Sequence, residues 1–478
     1  MGRPSEIPEP GAPLHWWTAR ELAGAVRRRD LSAREVVGWH LDRIAEVNPR
    51  LNAIVSLRPE AALAEAEAAD RMAAAGEPLG PLHGLPIAIK DLEDTAGIRT
   101  TYGSLAFAEH VPQADSLLVA RLRAAGAIVV GKTNTPEFGV GSHTFNRVFG
   151  ATRNPWALDR SPGGSSGGAG AALAAGLVPI ADGSDHGGSI RNPASFNNVV
   201  GLRPTPGLVP DSGAGDVWDT ASVVGPMART VGDLALMLTA ISGPDPQSPL
   251  SYGDPAAFAG ELNDDLAGVR VAWCPDVGGL PIEPDVLAVL AQARARLVAL
   301  GCDVEDVELD LSRADDAFET LRALAFARGF GPSLEALRPT AKETLIWNVE
   351  EGLALDASAI AAAMVAKSEV FSTVADLLQR YDVLAAPSAQ VAPFPIDQEY
   401  PTEVAGVPMP HYLGWMRACS RITVSAHPVA AVPAGFTPGG LPVGLQLVGR
   451  YRGDRRLLEH AAAWEAATGL TELHPALA

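Results

Sequence analysis

Short apolar runs punctuate this chain at 86–89, 127–131, 177–181, 198–202, 268–273, 383–387, 429–433 and 440–449. Runs of this length, bounded by glycine, proline or polar residues, read as buried strands. Between them lie stretches with helical spacing at 116–125, 234–241 and 454–468, and Gly126 and Gly243 stand where the first two should stop. Helical patterning dominates 283–381. This alternation predicts an α/β fold: one large domain with a central mixed, mostly parallel β-sheet flanked by helices. The start of the chain differs. Thr18 with Glu21, and Ser32 with Glu35, are two capping boxes. The second opens a helix with Val37, Leu41 and Ile44 on one stripe, and an Ala/Glu-rich helix over 59–75 stops at Gly76. Residues 15–76 are thus expected to form a helical arm, packed on the main body or on a neighbouring protomer. A core over 81–243 follows, then a linker over 244–266. A helical insert and the rest of the sheet, over 268–470, complete the single domain.

Two stretches break the pattern. Residues 133–165 have neither period, and a structureless path of that length in a compact domain is usually functional. Its early part, Gly139, Val140, Gly141 and Ser142, is expected at a substrate cleft. The Pro/Gly-rich stretch 203–220 carries Trp218, read either as the border of an aromatic-binding pocket or as core filling.

Composition narrows the possible partners. With 47% hydrophobic residues the chain can bury a large core. A net charge of −19 argues against nucleic-acid or anionic-membrane surfaces, which need basic patches. No uninterrupted apolar run reaches the ~18 residues that a membrane span requires. Cys274, Cys302 and Cys419 lie far apart, which predicts neither a disulfide framework nor a CxxC metal pair, and fits a cytoplasmic protein. The Pro-rich first residues lack the apolar segment of a secretory signal.

The candidate chemistry concentrates in SPGGSSGGAGAALAAGLVPIADGSDHGGSIR, from Ser161 to Arg191. Two glycine-wrapped serines, Ser165 and Ser189, are separated by an expected helix at 169–175 and strand at 177–181. Such a unit can return both hydroxyls to one end of a sheet, where α/β folds place their sites. A serine nucleophile needs a base within hydrogen-bond reach. Lys90, at the end of the expected strand 86–89, qualifies, since a desolvated lysine has a lowered pKa and accepts a proton near neutrality. Lys90 would deprotonate Ser165, and Ser165 would deprotonate Ser189. Competing readings of GGSSGG are weaker. A phosphate loop lacks its Gly-Lys ending. A nucleophile elbow on Ser166 needs a preceding strand, where 154–162 is Pro-rich and irregular. Arg191 either anchors an acidic substrate or braces its loop by pairing with Asp185 or Asp182. His83 and His143 read as structural.

GGSSGG at 163–168, DHGGSIR at 185–191 and PLHGLPIAIKD at 81–91, in that arrangement, resemble the amidase signature family, and the resemblance runs from about Thr18 to the final helix. It implies a Ser–cis-Ser–Lys triad with Ser189 as nucleophile, Ser165 as the bridge and Lys90 as the base. Ser166 would support the site through hydrogen bonds. The backbone N–H groups of His186, Gly187, Gly188 and Ser189 would form the oxyanion hole, with Gly187 and Gly188 permitting close approach. The implied activity is cofactor-free and metal-free hydrolysis of small-molecule amides, with carbamates (urethanes) and esters adjacent and aryl-amide or broad-specificity amidases the most similar branch. The rivals are the catalytic component of a glutamine-dependent tRNA amidotransferase and a non-catalytic binding protein of the same fold. Two positions depart from the family pattern: His186 replaces the usual Thr or Ile, and Asp182 replaces an apolar residue. The imidazole at 186 is read either as touching the substrate or as only packing, and as one source of a pH dependence near 6–7.

Overall fold

The computed structural model describes residues 13–211, 216–262 and 265–477. The N-terminal arm is built as its caps predict. Thr18 and Ser32 each accept from the backbone N–H three residues on, while Glu21 and Glu35 reach back, so both capping boxes close. They open the helices Ala19–Arg28 and Ala33–Leu51, and a third, Pro59–Ala75, ends at Gly76 in the left-handed region. The arm packs on the body of its own chain: the amides of Ala19 and Arg20 donate to the buried carboxylate of Asp233. The arm also contributes the strand Ile54–Leu57, which the sequence pattern did not reveal.

One eleven-stranded sheet organises the molecule. Its order is Ile54–Leu57, Ile128–Thr133, Pro86–Lys90, Ile180–Asp185, Val223–Ala228, Val200–Arg203, Val429–Phe436, Pro442–Val448, Val383–Pro387, Arg270–Trp273 and Asp303–Asp306. The sheet is mixed, but the expectation that it is mostly parallel fails. Four neighbouring pairs are parallel, and six are antiparallel. Helix crossovers do produce parallel neighbours near both ends. The centre is antiparallel, because the hairpin Val429–Phe436/Pro442–Val448 folds straight back on itself and Val223–Ala228 returns between Ile180–Asp185 and Val200–Arg203. Val223–Ala228 and Asp303–Asp306 were also unread in the sequence. The first lies in the shadow of the Pro/Gly-rich loop, and the second is polar and exposed.

The parallel run Ile128–Thr133, Pro86–Lys90, Ile180–Asp185 matters for function. Lys90 pairs with Thr133, and Ile180–Asp185 runs alongside Pro86–Lys90 in the same direction, so the carboxyl ends of these strands share one edge. The helix Gly167–Ala174 crosses between them and is buried along its length. Of the remaining helices, Arg313–Phe330 packs against Glu343–Leu353 and Ala357–Arg380. By length and composition Ala357–Arg380 would suffice to cross a membrane; here its face of Val370, Val374, Leu377 and Leu378 is buried within the domain.

Candidate active site

Lys90 ends its strand fully buried, and its backbone N–H donates to Asp182 Oδ1 at 2.8 Å. Its Nζ lies 2.8 Å from Ser165 Oγ, 2.8 Å from Ser166 Oγ and 2.9 Å from Ser184 Oγ. Burial pulls the ammonium down to about 8, against the opposing pull of Asp182, Glu93 and Asp185. The Gly164–Ser165 peptide bond is cis. No strand precedes Ser166, which stands at the start of Gly167–Ala174 with its hydroxyl on Lys90, so the elbow geometry is absent. Ser184 was missed in the sequence. The signal was there: Asp182 and Ser184 alternate along one strand, and both end up on Lys90.

Ser165 and Ser189 border one cleft of about 370 Å³. The backbone joins them too, since the N–H of Ser166 donates to the carbonyl of Ser189 at 3.1 Å. Among the described contacts no hydrogen bond links the two hydroxyls directly. The turn carrying Ser189 is held by Asp185, whose carboxylate accepts from the amides of Gly188 (2.9 Å) and Ile190 (3.1 Å) and from Arg191 Nε and Nη2 (3.0 and 2.9 Å). Arg203 adds a second cation, 3.4 Å from Asp185. Burial alone would raise this carboxyl, but Arg191 and Arg203 outweigh it and hold it well below the ordinary carboxylate range. Arg191 goes on to Thr423, Gln446 and the carbonyl of Cys419, so it braces the loop and leaves no edge toward the cleft.

This network alters one expectation. The Gly188 N–H is taken up by Asp185, whereas the amides of His186, Gly187 and Ser189 have no protein acceptor among the described residues. Gly188 sits at φ 119°, and a Cβ there would lie 2.6 Å from Cys419 Cβ. A Cβ on Gly187 would lie 2.6 Å from Phe318 Cζ. The His186 ring meets Phe318 edge-on at 5.5 Å, and its Nε2 is buried without a partner among the described residues. Burial and Arg322 hold the imidazole far below its usual range, so the expected titration near 6–7 does not arise from this group.

Of the four residues expected at the cleft, Gly139 and Gly141 line it. Val140 and Ser142 are buried instead: the Val140 carbonyl accepts from Lys342, and Ser142 Oγ accepts from Asn192 at 3.2 Å. Trp218 neither lines the cleft nor fills core. It is 66% exposed, while its neighbours Val217 and Asp219 face inward. His83 and His143 are buried, with ring nitrogens on backbone carbonyls.

The far wall is the helix Arg313–Phe330, unassigned in sequence beyond its helicity. It presents Arg322, Phe326 and Phe330 to the cleft, and Phe330 packs on Phe138 at 4.9 Å. Among the described residues no cluster of three or more His, Cys, Asp or Glu is placed to hold a metal ion.

Known proteins resemble this chain over nearly its whole length. An acylamidase of Rhodococcus erythropolis is 37% identical over 470 residues, covering 97% of this chain and 98% of its own. A glutamyl-tRNA(Gln) amidotransferase subunit of Moorella thermoacetica is 36% identical over 496 residues, covering 97% and 99%. The crystal structure of a bacterial aryl acylamidase of the amidase signature family superposes with a TM-score of 0.89 at 28% identity, covering 96% of this chain and 99% of the other. The amidase family model matches residues 35–458, and the chain belongs to the amidase signature family of amide C–N hydrolases.

Proposed function

We propose that this protein hydrolyses small-molecule amides, aryl amides foremost, through an acyl-enzyme on Ser189. The observation that carries the reading is the buried Lys90 Nζ within 2.8 Å of Ser165 Oγ, in the cleft that Ser189 borders. A neutral amine has two hydrogens and one lone pair. Its three hydroxyl contacts fit two bonds donated, to Ser166 and Ser184, and one accepted from Ser165. Ser165 then takes the proton of Ser189 as the latter attacks the carbonyl carbon. Negative charge gathers on the former carbonyl oxygen, facing the amides of His186, Gly187 and Ser189. The C–N bond breaks as the relay returns the proton to the leaving amine. Water, deprotonated along the same path, releases the acid and restores Ser189.

Phe138, Phe326 and Phe330 in the lining favour an aromatic group on the substrate. Carbamates and esters present the same acyl carbon to the same groups and are the adjacent substrate classes. The similarity to amidotransferase subunits supports a second reading, in which the chain supplies ammonia to a partner. Turnover of p-nitroanilides, esters and carbamates by the purified chain separates the two. Ser189→Ala and Lys90→Ala are each expected to lower kcat by roughly 10⁴-fold or more with the fold retained by circular dichroism. A chain inert toward every simple acyl substrate, or an active Ser189→Ala protein, ends the hydrolase reading. With Lys90 near 8, wild-type activity should rise with pH through that value, because the protonated ammonium accepts nothing.

A further inference from the structure

On the helix Arg313–Phe330 the residues Phe318, Arg322, Phe326 and Phe330 are spaced four apart and share one face. Phe318 closes on Gly187, beside the nucleophile, so Arg322 sits one helical turn, about 6 Å, along the cleft wall. Arg322 is only 5% exposed, and it has no carboxylate within ion-pair distance among the described residues. Other cations of the site are matched: Arg191 and Arg203 by Asp185, Arg328 by Asp216 and Asp219. The guanidinium is nevertheless fixed. Nε and Nη2 both donate to Tyr412 Oη, at 3.2 and 3.0 Å, and Phe326 covers one face at 4.4 Å. Asn348 Nδ2 donates to the same phenol at 2.6 Å and locks it. Nη1 has no protein partner among the described residues and is not sealed off, and Arg322 lines the cleft. A desolvated cation held rigid, with one donor edge left over, is a receptor for an anionic oxygen.

We propose that Arg322 forms an anion subsite of the substrate cleft, so that preferred substrates are amides carrying a carboxylate a few bonds from the scissile carbonyl, with their apolar part against Phe326 and Phe330. The inference rests on the hydrolase reading only in taking the occupant to be the substrate. The acidic mouth residues Asp216 and Asp219 do not oppose it, since Arg328 pairs with both.

The test uses matched acids and methyl esters on either side of the scissile bond: succinic acid mono-p-nitroanilide against its methyl ester, and 4-acetamidobenzoate against its methyl ester. Binding is measured calorimetrically in Ser189→Ala protein, so turnover plays no part, and kcat/KM is measured in the wild type. On one of the two sides the acid should be preferred about 10- to 100-fold. Arg322→Met should collapse that ratio toward one, mainly through KM, and Arg322→Lys should restore part of it. Should Arg322→Met not fold, the wild-type preference and the Arg322→Lys protein decide. No preference for the acid on either side, or a preference unchanged in the Arg322 variants, overturns the subsite. Acid-selective binding without turnover of any amide would retain the subsite and end the hydrolase reading instead.

Discussion

The turn that carries Ser189 and the helix Arg313–Phe330 meet at the same cleft, yet they are held in different ways. The turn is fixed by backbone amides gathered on a buried, charge-paired carboxylate. Asp185 gathers amides and two guanidiniums, Gly188 adopts a left-handed φ, and neither Gly187 nor Gly188 has room for a Cβ. The helix is fixed by side chains, through aromatic contacts and a Tyr412–Arg322–Asn348 cluster, and it presents their other faces to the cleft. Reacting groups must stay within a few tenths of an ångström of their working positions, which backbone and buried charge can ensure. Recognition groups tolerate more, and side chains on a helix can be exchanged at modest cost. On this view the chemistry belongs to the turn and the strand behind it, and the selectivity belongs to the wall.

The largest effect on this contrast should come from Arg191→Met. It leaves Asp185 buried beside Arg203 alone and should cost about 3–5 kcal/mol of stability, read by thermal and denaturant unfolding. A loss under about 1 kcal/mol would mean that the turn is not held by this charge cluster. Asp182→Asn comes next. Asp182 raises the pKa of Lys90, and the Asn Oδ1 still accepts the Lys90 N–H. The acid limb of the kcat/KM profile, followed from about pH 6 to about pH 10, should therefore move to lower pH with the plateau little changed. An unmoved limb would show that Asp182 is protonated in the working enzyme, the direction in which its own burial pushes it. Phe330→Ala, on the wall, should have the smallest effect: a severalfold rise in KM for aryl amides, with kcat and melting temperature near wild type. A large fall in kcat there would erase the distinction between the two walls.

Legibility in the sequence followed the same division. The candidates Lys90, Ser165 and Ser189 stood out because glycine clusters and short apolar runs mark where backbone must bend or be buried, and because the motifs around them resemble the family's. The helix ends at Thr18, Ser32 and Gly76 were readable because a cap is a local contract between neighbours. The alternation of Ser184 with Asp182 was readable, but not that both would meet Lys90, which stands on another strand; Arg322 escaped because nothing within its own helix distinguishes it from a surface arginine. The parallel share of the sheet was overestimated for a related reason, since strand direction is set by how distant segments return and each run looks alike by itself.

What the chain determined by itself was the set of local elements, the buried strands and glycine turns, and through them the candidate reacting residues. What only the tertiary structure decided was which amides near Ser189 remain unengaged, that Arg191 turns inward to Asp185, that Trp218 faces solvent, and that one wall holds an arginine with no carboxylate beside it among the described residues. The physical reason is range. Caps, turns and period act between residues a few positions apart, whereas desolvation and ion pairing depend on what the rest of the molecule brings alongside.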